Sequence, residues 1–122
     1  MIILLFAFGI LMGSSGSILM KIGVTQLGPI SINSFPSFVT FLFRIFTNIT
    51  ILAGMALYFF SAIVWTYLMS RLSLTFVQPI LALTYVTTPV LAIFILNENV
   101  PSMRWLGIIV IIIGVIIVSR TA

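Results

Sequence analysis

The sequence contains no cysteine and no histidine, and its one acidic residue is Glu98. Without thiolate or imidazole there is no soft-ligand metal site, no thiol nucleophile and no imidazole base. A single carboxylate cannot supply the positioned acids and bases that catalysis needs, so no enzyme and no cofactor are expected. Charge of either sign is scarce. Five basic residues and one acid make up 5% of the chain, against about 25% in soluble domains. The net charge of +4 is spread thinly, whereas a nucleic-acid footprint needs clustered Lys and Arg.

What fills the chain is apolar. Of 122 residues, 62% are hydrophobic, and the mean hydropathy is +1.42. Such a chain cannot present a solvated surface, and it reads as an all-α integral membrane protein of the cell (plasma or inner) membrane. A spanning helix needs about 20 apolar residues. Four segments qualify, at about 2–24, 47–70, 73–96 and 101–119, in a single domain covering residues 1–122. The first lacks a basic leader and runs past the length of a signal-peptide core to Lys21, so it is expected to be retained. The links "RLS" (71–73) and "NENVP" (97–101) are short and force antiparallel neighbours. Glu98, in the second link, is expected to cap the fourth helix or pair with Arg104.

Residues 25–46 are the exception. Gly28-Pro29 and Asn33 mark turns, and a Phe-rich run with Arg44 comes after them. This segment either lies in the interface as a short amphipathic helix or leads the second span into the bilayer. Lys21, Arg44 and Arg104 fall on one side of the membrane, and Arg71 and Arg120 on the other. Three against two gives no orienting bias. Either the chain inserts both ways, as an antiparallel dimer requires, or a partner or the insertion machinery fixes one orientation.

The first span contains "GILMGSSGSILMKIG" (9–23), with four glycines, three serines and a lysine where lipid contact would favour Leu, Ile and Val. Gly9, Gly13, Ser17 and Lys21 recur every four residues and share a face. The second span carries Thr50, Gly54, Tyr58, Ser61 and Trp65 at steps of three or four. The third carries Thr75, Gln78, Ala82, Tyr85 and Pro89 in the same rhythm. These stripes either line a shared cavity or are ordinary packing faces, since small residues let membrane helices approach closely. Pro79 deprives the Thr75 carbonyl of its helical donor, and Pro89 repeats the device, so the third span is expected to be kinked twice. Lys21, Arg44 and Arg71 either snorkel to the headgroups or hold an anionic group at the cavity mouth. The fourth span, "GIIVIIIG", sets Gly107 and Gly114 seven residues apart among β-branched residues. It is expected to pack, against a copy in another subunit.

Four short helices, a Gly-x6-Gly fourth helix and "LMK" closing the first resemble the small multidrug resistance proteins of the drug/metabolite transporter superfamily. The resemblance implies that Gly107 and Gly114 form a dimer seam and that two antiparallel copies share one cavity. The essential membrane carboxylate of that family would fall on Gly13, and its aromatic cation-site positions on Gln78 and Leu81, so the frame matches without the cation chemistry. Residues 57–120 are more similar to the aminoarabinose-phosphoundecaprenol flippase subunits of the same superfamily. "MSRLSLTFVQPILALTYV" (69–86) carries their pattern, with Gln78-Pro79 in place of Tyr-Pro. "NENVPSMRWLGIIVIIIGVIIV" (97–118) keeps their Glu, turn, Trp and Gly order and resembles the end of the EamA domain.

Three functions compete. A cation antiporter trades protons through a membrane carboxylate, and this sequence has none to offer. A flippase for a polyprenyl-phosphate-linked sugar fits better. Lys21, Arg44 and Arg71 are candidates for its phosphate, and Ser14, Ser17, Thr50, Tyr58, Ser61, Trp65, Gln78 and Tyr85 for its sugar. The small residues of the first span would leave room for the headgroup. The functional unit would be a homodimer or a paralogous heterodimer in the bilayer. The third reading is a non-transporting assembly subunit held to a partner by the fourth helix.

Overall fold

The computed structural model describes residues 1–121, and every regular element among them is helical. In chain order these are α1 (Ile2–Gln26), α2 (Phe35–Thr47), α3 (Ile49–Arg71), α4 (Leu74–Leu81), α5 (Thr84–Leu96) and α6 (Ser102–Ser119). Four stretches are long and apolar enough to cross a membrane: α1, α3, α4–α5 taken together, and α6. A lipid-exposed backbone must satisfy its own hydrogen bonds, which favours uninterrupted helices over these lengths.

Residues 25–46 do not run continuously into the second span. Ser34 caps a separate helix, α2, in a reciprocal arrangement with Ser37, and Pro36 sits in its first turn. The helix stops at Thr47 because Asn48 adopts an extended backbone. The Asn48 side chain then accepts the Ile51 N–H at 3.0 Å and starts α3.

The third span is interrupted once. Pro79 has no N–H, and downstream the backbone tightens: Ala82 N–H donates to the Pro79 carbonyl at 3.1 Å and Leu83 N–H to Ile80 at 3.0 Å. The Gln78 carbonyl thereby loses the donor that an α-helix would give it. At Pro89 the helix is not broken: α5 continues through that residue. It ends at Asn97 in the left-handed conformation, φ 54°, and the Glu98 N–H closes back on the Ala92 carbonyl. Glu98 does not cap the last helix, since α6 begins after Pro101 without a side-chain cap.

The most extensive contact is α1 on α3, and glycines on both helices make it possible. A Cβ added to Gly16 would stand 2.7 Å from the Gly54 carbonyl oxygen, and one added to Gly54 would stand 2.7 Å from that of Gly16. A Cβ at Gly23 would collide with Ile51. The two backbones therefore touch, as small residues permit in membranes. The crossing is carried by Gly16 and Gly23 beside the stripe; of the stripe itself, Gly9 packs on Trp65, while Gly13 and Ser17 stay clear of the crossing and border open space. At the other end Phe6, Ile10, Trp65, Leu68, Val77, Ile80 and Val115 form the apolar core. The Phe6 and Trp65 rings stand 5.7 Å apart. The last helix packs against α4 and α5 and buries Ile108 and Val115. Gly107 and Gly114 have open space around them.

Candidate functional site

Two adjoining clefts form one groove between α1–α3 and α4–α5. The larger, of about 310 Å³, is lined by Tyr58, Ser61, Trp65 and Thr66 of α3 and by Gln78, Leu81, Thr84 and Tyr85 on the facing span. The second, of about 250 Å³, adds Ser17, Thr88 and Pro89. Both include Gly13, Tyr58, Thr84 and Tyr85, which join them. Gly13, Ser61 and Tyr85 lie near the middles of their spans, so the groove sits at membrane depth. It opens sideways, with Tyr58 51% and Tyr85 67% exposed.

Ser61 organises the inner wall. Its hydroxyl donates to the Gly9 carbonyl at 2.8 Å and accepts from the buried Trp65 indole N–H at 3.1 Å. That bond fixes the position of the indole in the groove wall. A Cβ at Gly13 would stand 3.2 Å from Ser61 Oγ, so a side chain there would press on that hydroxyl and on the groove floor. Ser61→Ala should orphan the Trp65 N–H and lower stability by about 1–3 kcal/mol, the usual cost of a buried unsatisfied donor. Thermal denaturation in detergent checks this, and an unchanged melt would mean that the indole finds another acceptor.

Of the residues expected to bind substrate, the groove brings together Ser17, Tyr58, Ser61, Trp65, Gln78 and Tyr85. Ser14 stands elsewhere: it is fully buried, and its hydroxyl accepts from Thr88 at 3.1 Å. It is a bond between α1 and α5 and is not open to a ligand. Thr50 is half-buried in the first turn of α3, away from the groove lining. None of the three cations lines the groove. Lys21 is exposed one turn beyond Ser17. Arg44 reaches from α2 to the Leu27 carbonyl. Arg71 lies over the Tyr67 ring at 5.6 Å. Sequence reasoning missed Thr66, Met69, Thr84 and Thr88. The first two continue the period of α3 beyond Ala62. Thr84 and Thr88 flank Tyr85 on the side that faces α1, a direction that shows only once the third span is broken and packed.

Chemically the groove offers hydroxyls, one primary amide and aromatic faces, with no formal charge. Such groups bind and orient hydroxyl-bearing ligands. Among the described residues no three His, Cys, Asp or Glu side chains come together as a metal site would need. The Gln78 amide, exposed at the groove, makes no side-chain hydrogen bond among the described residues. Hydrocarbon cannot satisfy such a group, so water, ligand or a second subunit must.

No solved structure matches the chain. Over 60 residues it is 30% identical to a protein of Pseudomonas fluorescens described as probable 4-amino-4-deoxy-L-arabinose-phosphoundecaprenol flippase subunit ArnE. That stretch is 49% of this chain and 53% of the relative, so the match spans about half the length of each. The EamA-like transporter family model matches residues 1–120, which takes in all four spans and the groove. The apolar spans and the two matches make the chain a multi-pass protein of the inner membrane. With nearly its whole length inside that one model, the chain belongs to the EamA-like transporter family, within the drug/metabolite transporter superfamily.

Proposed function

We propose that this transporter flips a polyprenyl-phosphate-linked sugar, or a similar lipid-linked polar headgroup, across the membrane, as one subunit of a dimer and without catalysing a covalent step. The observation that carries the reading is an uncharged groove at membrane depth, lined by Tyr58, Gln78 and Tyr85, that opens sideways. A lipid-linked sugar needs that combination. Its hydroxyls take neutral donors and acceptors inside the groove, while its tail stays outside among apolar helices. Its phosphate belongs nearer the boundary, where Lys21 and Arg71 are exposed. The relative's name, a flippase subunit for a sugar on a polyprenyl phosphate, supports both the substrate class and the need for a partner subunit.

The partner is a second copy or a paralogue seated on the Gly107–Gly114 face of α6, where no described residue comes within 4 Å of a carbon added to either glycine. Cation antiport is the poorer fit. It needs a carboxylate in the cavity, and Glu98 is exposed in the turn after α5.

Native mass spectrometry of the gently extracted protein, with organic extraction of the lipid it carries, tests the reading. The expected result is a stoichiometric polyprenyl phosphate bearing a sugar. Bulk phospholipid alone would overturn the assignment of substrate.

A further inference from the structure

The α2 helix has two chemically opposite faces. Ser37, Thr40 and Arg44 recur at helical spacing and border a small cleft of about 170 Å³ with Ile30, Ser31 and Phe41. Arg44 also donates to the carbonyl of Leu27, just past the end of α1. The polar stripe is thus turned toward the chain's own connecting segment. The other face carries Phe35, Phe38, Val39, Leu42, Phe43 and Phe46, all exposed; Phe43 is 71% accessible and Phe35 77%. No residue of α2 is fully buried.

The tether of the helix decides what covers the phenylalanine face. Asn48 alone separates α2 from the spanning helix α3. The Asn48 amide donates to the Gln26 side chain at 3.4 Å, which ties the end of α1 to the start of α3. Both ends of the connecting segment therefore sit at one membrane boundary. Thirteen residues make about 20 Å of helix, too short for a hydrocarbon core about 30 Å thick. An apolar face held at that boundary meets lipid, and a polar stripe on the opposite side meets water and the protein.

We infer that α2 is an in-plane interfacial helix, its phenylalanine face sunk at the boundary of headgroups and acyl chains on the side of Lys21 and Arg104, and its Ser37–Thr40–Arg44 stripe turned away from the lipid. It floats the connection between the first two spans on the bilayer surface, and it does not depend on what the groove carries.

The absence of native cysteine makes single-site labelling clean. Phe38→Cys, Phe43→Cys, Thr40→Cys and Thr47→Cys, each spin-labelled in phosphatidylglycerol–phosphatidylethanolamine vesicles, would be compared for collision with oxygen, which concentrates in lipid, and with a water-soluble nickel chelate. All four positions are exposed, so the fold should tolerate them; co-elution with the parent protein checks that. The expected result is a several-fold preference for oxygen at positions 38 and 43 and for the chelate at 40 and 47. A chelate preference at all four would overturn the inference. So would shielding of 38 and 43 from both reagents, which would place a second protein surface over the phenylalanine face. Neither outcome bears on lipid flipping.

Discussion

Gly16→Ala should open the α1–α3 crossing and be among the most destabilising single methyl additions in the chain. The new Cβ would stand 2.7 Å from the Gly54 carbonyl oxygen and 3.1 Å from the Tyr58 backbone nitrogen. Neither neighbour is the flexible tip of a side chain, so a whole helix must move. Overpacking of this kind costs about 1–3 kcal/mol, and occasionally more. Gly54→Ala meets the reciprocal obstacle, with Met20 nitrogen at 2.8 Å besides. Because the displaced segment of α3 includes Tyr58, the groove should widen as stability falls. Gly107→Ala supplies the contrast within one subunit, since no described residue lies within 4 Å of its added carbon, so a loss of stability there would report on the proposed partner face and not on the α1–α3 crossing. Detergent melts of the three variants decide the matter. A Gly16→Ala protein that melts with the parent would mean that the two backbones are not in contact.

That contrast also marks how far the sequence could be read. Composition and run length are enough for four spans, because lipid imposes a length on any helix that crosses it. Period is enough to place Tyr58, Ser61, Trp65, Gln78 and Tyr85 on related faces. What period cannot say is what a face meets. Gly9, Gly13, Ser17 and Lys21 repeat identically whether the stripe borders a cavity or another backbone. In the structure the stripe's Gly13 and Ser17 border the groove, and it is Gly16 and Gly23 beside it that carry the crossing. Ser14 was equally unreadable, since the Thr88 hydroxyl that fills its hydrogen bond lies 74 residues away. The separate α2 helix was closer to legible. Ser34 and Ser37 with Pro36 between them make an N-terminal signature, and Asn48 is a natural cap for α3.

Gln78→Leu should all but abolish headgroup transfer while leaving the fold intact. Gln78 is exposed at the groove and its side chain bonds to no other among the described residues, so no intramolecular partner is lost, and leucine suits the helix. What disappears is the one amide in the groove, placed beside the helix interruption that strips the Gln78 carbonyl of its donor. Losing it would leave substrate hydroxyls desolvated and unpaired, at about 1–3 kcal/mol for each such group. At about 1.4 kcal/mol per factor of ten, transfer should fall roughly ten- to hundredfold. Lys21→Met acts differently. It removes a boundary cation and leaves the groove alone, so it should weaken capture of the anionic lipid and become less damaging as substrate concentration rises. Reconstituted transfer of a polyprenyl-phosphate sugar into the opposite leaflet, measured over a range of substrate levels, separates the two. Gln78→Leu should lower the rate even at saturation, and Lys21→Met should not. Normal transfer by the Gln78→Leu protein would remove the groove from the path of the headgroup, whatever lipid is found bound to the chain.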